Sequence, residues 1–434
     1  MAAIGVMDDG LPGNIYMAHL LPPNQGAKVY EIHPAVQFSK MDLDLESFIS
    51  SLEDEIAKGE KGTFDVRDRR VRALLVSVST GSRQEQSDSI EELKELARSA
   101  NLIVIGTIIQ RPKKIDPRYL MGSGKIKELI IKALQDGAEL VIFDMDLAPA
   151  QLSAISQITE MKVIDRTQLI LDIFAQRAHS MDGKIQVELA QLKYRLPRLS
   201  ERSTALSRLT GGIGGRGPGE TRLEIDMRRA RDKIAHLEKQ LEGLSMNRSE
   251  RARRRNESGI PIISIVGYTN AGKSTLLNVL TESSVSTRDL LFATLDTSSR
   301  RLRFPREREV IITDTVGFIK ELPKDLLGAF RPTLDELKDA HLLLHVIDIS
   351  NPRFEDQMKA VEKILEELGL DKIPTLHVFN KADRADKDQA ELFARRYDAV
   401  LISALKKEGL ERLLEVMEKR IWVDRPKPAP IPLP

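Results

Sequence analysis

An eight-residue segment of this 434-residue chain has the composition and spacing of a phosphate-binding loop. Residues 267–274 read GYTNAGKS, which matches G-x-x-x-x-G-K-S. A β-branched apolar run precedes the segment and a stretch with helical periodicity follows it, as such a loop requires. Lys273 can reach the β- and γ-phosphates, and the Ser274 hydroxyl can bind Mg²⁺. The alternative is a glycine-rich turn in an unrelated α/β domain, which the full pattern in this context disfavours.

Three later motifs have the order and chemistry of a guanine nucleotide site. Residues 314–317 read DTVG after an apolar strand, and we expect Asp314 to hold Mg²⁺ through water and the Gly317 N–H to contact the γ-phosphate. Residues 380–383 read NKAD, and the Asp383 carboxylate can accept both N1–H and the exocyclic amine of guanine. Adenine would leave that carboxylate without donors. Residues 403–405 read SAL and offer a backbone N–H to the guanine oxygen, so the sequence predicts GTP as the ligand.

A switch threonine completes the predicted site. Thr294 is the best candidate, because it could join the Mg²⁺ shell only when a γ-phosphate is present; a plain strand threonine is the alternative. The predicted catalytic residues are Lys273, Thr294 and Gly317, and the predicted Mg²⁺ ligands are Ser274, Thr294 and Asp314. The predicted GTP-binding residues are Gly267, Tyr268, Thr269, Asn270, Ala271, Gly272, Lys273, Ser274, Thr275, Phe292, Ala293, Thr294, Asp314, Thr315, Val316, Gly317, Asn380, Lys381, Asp383, Ser403, Ala404 and Leu405.

Two residues of the site bear on turnover. Phe318 occupies the position after Gly317 where many GTPases carry a water-positioning glutamine, and a phenyl ring cannot orient water. We therefore expect slow unaided hydrolysis. Asn270 resembles the asparagine with which some GTPases hold potassium against the phosphates, so K⁺ is a second candidate cofactor beside Mg²⁺.

Composition excludes several classes of site. The chain has no cysteine, which rules out disulfides, thiolate zinc sites and cysteine nucleophiles. Its first residues lack the features of a signal peptide, and no apolar run approaches the roughly 20 residues needed to span a bilayer. We expect a cytoplasmic monomer.

The chain divides into five predicted segments of an α/β protein. Between residues 73 and 165, four strand-like runs alternate with three helical stretches, which predicts a parallel sheet. Residues 122–125 read GSGK, but Tyr119 and Ile126 stand where a phosphate loop needs glycine and a hydroxyl, so we interpret them as a helix start and leave a weak nucleotide contact open. The segments are an N-terminal extension of unknown role (1–69, with a helix around Leu43–Lys58), an α/β domain (70–180), a helical hairpin (181–256), a P-loop GTPase domain (257–425) and a proline-rich tail (426–434).

The hairpin segment combines two apolar seams with a basic outer face. Leucine and isoleucine recur every three or four residues on either side of a glycine-rich loop at 211–219, which predicts two long antiparallel helices, the first ended or kinked at Pro197. The basic face carries Arg195, Arg198, Arg202, Arg208, Arg216, Arg222, Arg228, Arg229, Arg231, Arg251, Arg253, Arg254 and Arg255. We favour RNA binding, with Arg208, Arg216 and Arg222 as the named contacts, over a solvated face paired with acidic residues.

Residues 70–425 resemble the HflX family of translation-factor-class GTPases. The resemblance lies in GYTNAGKS (267–274), FATLD (292–296) and DTVGFI (314–319), and upstream in VIDRT (163–167), LDIFAQRA (171–178), VELAQL (187–192), GGI (211–213) and RGPGE (216–220). It implies GTP-dependent binding to the large ribosomal subunit, with the glycine-rich loop directed at ribosomal RNA near the peptidyl-transferase region. It also implies splitting of stalled ribosomes and a GTPase that the ribosome stimulates.

The resemblance leaves some features of the chain unassigned. The family's N-terminal domain has been credited with ATP binding, and many relatives carry a further small domain where this chain has only a proline-rich tail. We expect a GTP hydrolase that splits or rescues stalled ribosomes, with hydrolysis timing release. A GTP-gated RNA-binding or ribosome-assembly factor without splitting activity is the alternative. A signalling GTPase with a protein partner would leave the basic hairpin unexplained.

Overall fold

The computed structural model describes residues 2–7, 9, 11–20, 30–38, 47–51, 70–209, 222–257, 259–281, 291–292, 298–304, 308–315, 317–319 and 324–422. The chain divides into two compact units. One comprises Met1–Ile90, Asn101–Asp144 and Ala154–Ile164, and the other Glu91–Ala100, Met145–Ser153 and Asp165–Pro434. Both contain strands and helices, which confirms the predicted α/β class. Within the described ranges, no helix is both long and apolar enough to cross a bilayer.

The N-terminal segment contains a small antiparallel sheet that the sequence analysis did not predict. In it, β2 pairs with β1, β3 and β4. Several apolar residues of these strands are exposed, including Ile4 and Val6, so the sequence lacks the alternation that reveals a half-buried strand. A short helix, α1, covers residues 47–51, inside the range predicted for a helix. The strands are β1 (Ala2–Val6), β2 (Pro12–Leu20), β3 (Tyr30–Ile32) and β4 (Val36–Gln37).

A second sheet has the strand order β6-β5-β7-β8, and β5 is parallel to both of its neighbours, as predicted. The helix predicted at Ser89 begins earlier, because Ser82 and Glu85 form a reciprocal capping box. Gly122 caps a helix, and Lys125 pairs with Glu128 at 2.7 Å, so the helix-start interpretation is confirmed. The elements are β5 (Arg72–Val78), α2 (Arg83–Ser99), β6 (Ile103–Gln110), α3 (Ser123–Gln135), β7 (Leu140–Phe143), α4 (Pro149–Thr159) and β8 (Lys162–Asp165).

Three helices follow: α5 (Arg166–Arg177), α6 (Met181–Leu209) and α7 (Arg222–Glu257). The sequence analysis missed α5, which the Asp165 side chain caps by accepting a hydrogen bond from the Gln168 amide. The predicted seam packing of α6 and α7 is confirmed by a buried cluster of Ile185, Leu189, Leu237 and Leu241.

The sequence predicts that Pro197 ends or kinks the first long helix, and the first of these alternatives is wrong. Helix α6 continues through the proline to Leu209. Its seam residues pack against α7 before the proline, and the Arg198 guanidinium donates to the Tyr194 carbonyl oxygen at 2.8 Å. These contacts offset the loss of one helical hydrogen bond at the proline.

The second unit is built on a six-stranded sheet with the order β10-β11-β9-β12-β13-β14. Among the described strands, β10 and β11 pair antiparallel and the other neighbours pair parallel. One cluster packs α8 and α12 against the sheet, and another packs α10 and α11. The strands are β9 (Ile262–Gly267), β10 (Ser298–Arg303), β11 (Glu309–Asp314), β12 (Leu342–Asp348), β13 (Thr375–Asn380) and β14 (Val400–Leu401); the helices are α8 (Lys273–Leu280), α9 (Lys324–Leu334), α10 (Phe354–Glu367), α11 (Lys387–Arg396) and α12 (Leu410–Trp422).

The parallel strands explain how distant motifs come together. Strands β9, β11 and β13 end at Gly267, Asp314 and Asn380, which begin the three main motifs of the predicted site. Because parallel strands share one carboxyl edge, the motifs meet at that edge of the sheet.

Candidate nucleotide site

The loop after β9 has glycines at two positions where no other residue fits. Gly267 has a φ of +151°, and a Cβ there would lie 2.2 Å from the Val346 carbonyl oxygen on the neighbouring strand. Gly272 has a φ of +92°, and a Cβ there would lie 2.3 Å from Asn380 Nδ2. Both the backbone and the close neighbours therefore require glycine at these points.

Lys273 lies buried at the start of α8. Its ammonium group donates to the carbonyl oxygens of Gly267, at 3.1 Å, and Tyr268, at 2.8 Å. Burial lowers the pKa of Lys273 to about 8, and the nearby Asp314 carboxylate acts in the opposite direction. A lysine and a helix N-terminus at the same point form a site for an anion.

Ser274 and Asp314 provide a pair of oxygen ligands. The Ser274 hydroxyl donates to Asp314 Oδ2 at 2.8 Å, and Asp314 is 1% exposed. A hydroxyl and a carboxylate at this separation suit a hard cation such as Mg²⁺. The next residue, Thr315, uses its own hydroxyl within the protein, donating to the Ile265 carbonyl oxygen at 2.7 Å.

The segment after Asp314 pairs with the phosphate loop. The Thr269 amide donates to the Phe318 carbonyl oxygen at 2.7 Å, and the Phe318 amide donates to the Gly267 carbonyl oxygen at 3.1 Å. A Cβ on Gly317 would lie 2.8 Å from Thr269 Cγ2 and 3.0 Å from Lys273 Nζ. The Phe318 ring is 1% exposed, which places it inside the protein and not at the reaction centre.

Asn380 joins the phosphate loop to the predicted base pocket. Its Nδ2 donates to the Ala271 carbonyl oxygen at 2.8 Å, and its Oδ1 accepts from the Ala404 amide at 2.9 Å. The side chain itself is 2% exposed. One buried amide therefore fixes the distance between the predicted phosphate loop and the predicted base loop.

Asp383 lies at the edge of the predicted base pocket, where its carboxylate is ionised and can accept hydrogen bonds. The Ser403 hydroxyl donates to Asp383 Oδ1 at 2.7 Å, and this hydrogen bond is the main reason why the pKa of Asp383 lies below its usual value. Lys381 has a φ of +62° and pairs with Asp348 at 2.8 Å. An ionised carboxylate beside a backbone loop is the arrangement that guanine recognition needs.

The remaining predicted residues fall into two groups. Asn270 has a φ of +61°, Ala271 is buried, Thr275 lies in the first turn of α8, and Leu405 is 70% exposed. Ala293, Thr294 and Val316 lie outside the described residues.

Comparison with known proteins identifies the family. Three family models match: a GTP-binding GTPase N-terminal region at residues 87–175, a GTP-binding GTPase middle region at 177–255, and a 50S ribosome-binding GTPase at 262–381. GTPase HflX of Caldanaerobacter subterraneus subsp. tengcongensis is 48% identical over 351 residues, covering 81% of each chain. The chain belongs to the HflX family of GTPases.

A second HflX relative and a solved structure are also similar to this chain. GTPase HflX of Escherichia coli K12 is 41% identical over 365 residues, covering 82% of this chain and 84% of the relative. Among solved structures, the complex of SsGBP with GDP covers 81% of this chain and 98% of its own, with 26% identity and a TM-score of 0.48. As a member of the HflX family, the chain is a GTP-hydrolysing enzyme of the ribosome-associated class.

The structure also brings residues to the HflX-type phosphate loop that the sequence analysis missed. The Tyr268 hydroxyl donates to Glu92 of α2 at 2.5 Å, and Glu92 also pairs with Arg166 at 2.8 Å. Phe292, predicted to bind GTP, packs its ring 4.6 Å from that of Phe174. No local motif marks Glu92, since its role depends on a residue 176 positions away.

The basic face of the hairpin is less extensive than the sequence suggested. Arg198 is not part of it, because it pairs with the buried Asp165 at 3.1 Å and lies over the Tyr194 ring. Arg228, Arg229 and Arg231 are exposed on α7. Arg208 and Arg222 lie at the ends of α6 and α7 nearest the loop, with their side chains outside the described part, and Arg216 lies outside the described residues altogether.

Proposed function

We propose that the chain binds GTP with the phosphates on residues 267–275 and the guanine at Asp383 and 403–405. The observation that carries this proposal is the double hydrogen bond of Asn380, which joins the two loops at 2.8 Å and 2.9 Å. Two loops held together by one side chain present the phosphate and base contacts as a single unit. Selectivity for guanine then follows from the ionised Asp383 carboxylate, because adenine presents no pair of donors for this carboxylate to accept.

Mg²⁺ is the proposed cofactor. Ser274 and Asp314 would hold it, with Thr294 joining them in the GTP state, and the ion would supply positive charge against the phosphate oxygens. The fit rests on the hydroxyl–carboxylate pair described above, 2.8 Å apart.

A K⁺ ion beside Asn270 is a separate proposal. Comparing hydrolysis rates in K⁺ and Na⁺ buffers tests it, and equal rates would contradict a role for K⁺.

Lys273 and Gly317 would act on the γ-phosphate, Lys273 through its ammonium group and Gly317 through its backbone N–H. The Phe318 ring cannot position the attacking water, since it is buried. We therefore infer that hydrolysis is slow until a partner completes the site, and that the ribosome is this partner.

The proposed partner is the large ribosomal subunit and its RNA. The family model at residues 262–381 is that of a 50S ribosome-binding GTPase, and α7 presents exposed Arg228, Arg229 and Arg231. In this proposal the GTP state of a cytoplasmic monomer binds the subunit, splits or rescues stalled ribosomes, and leaves after hydrolysis. Thr294 and Gly317 would favour the binding conformation through contacts made only with GTP.

A GTP-gated RNA-binding or ribosome-assembly factor is the second candidate. The same exposed arginines on α7 favour it, since they would bind RNA phosphates whether or not the protein splits ribosomes. This factor would bind free subunits or precursor RNA and leave intact ribosomes unchanged.

Charge reversal tests the RNA contact. The variant Arg216→Glu/Arg222→Glu should lose ribosome affinity in co-sedimentation while its GTP affinity stays unchanged. Arg395→Glu/Arg412→Glu is the control, because it makes the same change of charge at two exposed arginines, Arg395 on α11 and Arg412 on α12. Equal ribosome affinity in the double variant and the wild type would contradict the proposed RNA contact.

A further inference from the structure

Two histidines and a glutamate lie together on the α10 side of the six-stranded sheet. His345 of β12 and His377 of β13 face each other in register, and their ring centroids are 5.5 Å apart. Glu362 of α10 lies beside them. One ligand atom from each of the three residues lies within 4.8 Å of the other two.

His345 is unusual for a core residue. Its side chain is 1% exposed, and neither ring nitrogen has a hydrogen-bond partner among the residues that the structure describes. Leaving such a group unsatisfied in the interior is unfavourable. Burial lowers the pKa of His345 to about 3, so the ring is neutral near pH 7 and retains a lone pair.

His377 is oriented in the way that metal-binding histidines are. Its Nδ1 lies 3.3 Å from the Tyr397 carbonyl oxygen, so a proton on Nδ1 donates to that oxygen. The other nitrogen, Nε2, then carries the lone pair and lies 3.7 Å from Glu362 Oε1. A ligand histidine commonly donates its second nitrogen to a backbone carbonyl, which fixes the tautomer and the ring orientation.

We propose that His345, His377 and Glu362 bind a divalent transition-metal ion, with Zn²⁺ as the best fit. Two imidazoles and one carboxylate are a common ligand set for zinc, whereas Mg²⁺ prefers oxygen ligands alone. Zinc ligands lie about 2.0–2.2 Å from the ion, so the three ligand atoms would move closer together on binding, and the Glu362 side chain, which is 47% exposed, is the least buried of the three. This site is separate from Ser274 and Asp314.

A bound ion would have a structural consequence for the nucleotide site. It would connect α10 to β12 and β13, the two strands that end at Asp348 and Asn380. Asp348 pairs with Lys381, and Asn380 joins the two nucleotide loops. The ion would therefore stabilise the strands from which the base-binding motif extends, without contacting GTP.

Cobalt titration tests the proposal, because Co²⁺ replaces Zn²⁺ at such sites and has visible d–d absorption. The titration uses the full-length chain with excess Mg²⁺ and GDP, so that the nucleotide site is occupied. The wild type should bind one equivalent of Co²⁺, and Zn²⁺ should displace it. Glu362→Gln should weaken Co²⁺ binding at least tenfold, and His345→Leu should abolish the absorption.

Glu366→Gln is the matched control, an exposed glutamate one turn further along α10. It should bind Co²⁺ as the wild type does. Zn²⁺ should also raise the unfolding temperature of the wild type and of Glu366→Gln, and should raise that of Glu362→Gln less at the same Zn²⁺ concentration. Absence of stoichiometric Co²⁺ binding, or undiminished binding by Glu362→Gln, would overturn the proposal.

Discussion

At the scale of single residues, the predicted nucleotide site depends on two kinds of position. At one, there is no room for a side chain; at the other, the side chain is fully hydrogen-bonded within the protein. Gly317 has no room for a Cβ between Thr269 and Lys273. Asn380 uses both its amide groups on backbone atoms. The sequence motifs identified both positions, but they did not show that the Asn380 side chain hydrogen-bonds to the protein's own backbone.

Gly317→Ala should weaken binding of a non-hydrolysable GTP analogue. Its Cβ would lie 2.8 Å from Thr269 Cγ2 and 3.0 Å from Lys273 Nζ, so the segment must move away from the phosphate loop. Overpacking of this kind costs about 1–3 kcal/mol, which corresponds to roughly a tenfold loss of affinity or more. Titration with a fluorescent analogue measures the change. Gly328→Ala on α9 is the control, since nothing lies within 4 Å of its added Cβ; equal affinities for both variants would contradict the packing argument.

Asp383→Asn should change which base is bound. An amide offers only one acceptor group, so it cannot accept both guanine donors, but its NH₂ can donate to the C2 carbonyl of xanthine. We expect the affinity for GTP to fall on the order of 100-fold or more and that for xanthosine triphosphate to rise. Competition titration of the two nucleotides measures both changes. Asp388→Asn, an exposed aspartate on α11, should leave both affinities unchanged, and GTP binding that survives Asp383→Asn would place the base elsewhere.

At the scale of elements, a buried hydrogen-bonded pair joins α6 to α9. Gln186 Nε2 donates to Thr333 Oγ1 at 2.8 Å, and Thr333 Oγ1 lies 3.1 Å from Gln186 Oε1. Gln186 is 1% exposed and Thr333 6%. This contact connects the first long helix with the helix that follows residues 314–319.

Thr333→Val should destabilise the second unit by about 1–3 kcal/mol, because the buried Gln186 amide loses its hydroxyl partner. The double variant Gln186→Leu/Thr333→Val should lose less than the sum of the two single variants, since neither partner is left alone. Urea unfolding followed by circular dichroism measures these values. For comparison, Glu188→Ala removes a half-exposed pair with Lys233 at 3.3 Å and should cost below about 1 kcal/mol. Additive losses for the double variant would contradict direct coupling.

The sequence revealed elements whose signals are local and missed those that depend on distant contacts. The buried strands β5, β9 and β12 are continuous apolar runs, and the α6–α7 seam has a regular spacing, so pattern alone predicted them. The early start of α2 is an exception: it is encoded locally, in the capping box of Ser82 and Glu85, yet the sequence analysis placed the start at Ser89. By contrast, β1 is largely exposed and β2 mixes exposed with half-buried residues, and α6 runs through Pro197 because tertiary packing outweighs a local helix breaker.

The same division applies to the site. Motif spacing located the phosphate loop, Asp314 and Asp383, because each motif is a short continuous segment. The contacts of Tyr268 with Glu92 and of Lys381 with Asp348 join residues far apart in the sequence, and only the folded chain reveals them.

At the scale of the whole molecule, charge distribution matters more than total charge. The net charge is +1, so the molecule as a whole exerts little attraction on a polyanion. The exposed arginines of α7 are concentrated on one helix, and Arg229 pairs with Asp226 at 3.7 Å. Phosphate contacts made by such residues are released by salt.

Ribosome affinity should therefore fall steeply as the salt concentration rises. For each phosphate contact that a variant loses, the slope of log affinity against log salt should become shallower by roughly 0.7–0.9. Co-sedimentation of wild type and Arg228→Glu/Arg229→Glu over a series of KCl concentrations measures the two slopes. Identical slopes would show that these arginines do not contact RNA.

The most direct test of the proposed function is to follow intact ribosomes on a sucrose gradient after incubation with the protein and either GDP or a non-hydrolysable GTP analogue. With the analogue, we predict that the intact ribosome peak decreases, that subunits accumulate and that the protein migrates with the large subunit. With GDP, the ribosomes should stay intact. Binding of the analogue-loaded protein without loss of intact ribosomes would contradict splitting and favour the assembly factor, and no binding with either nucleotide would contradict a ribosomal partner.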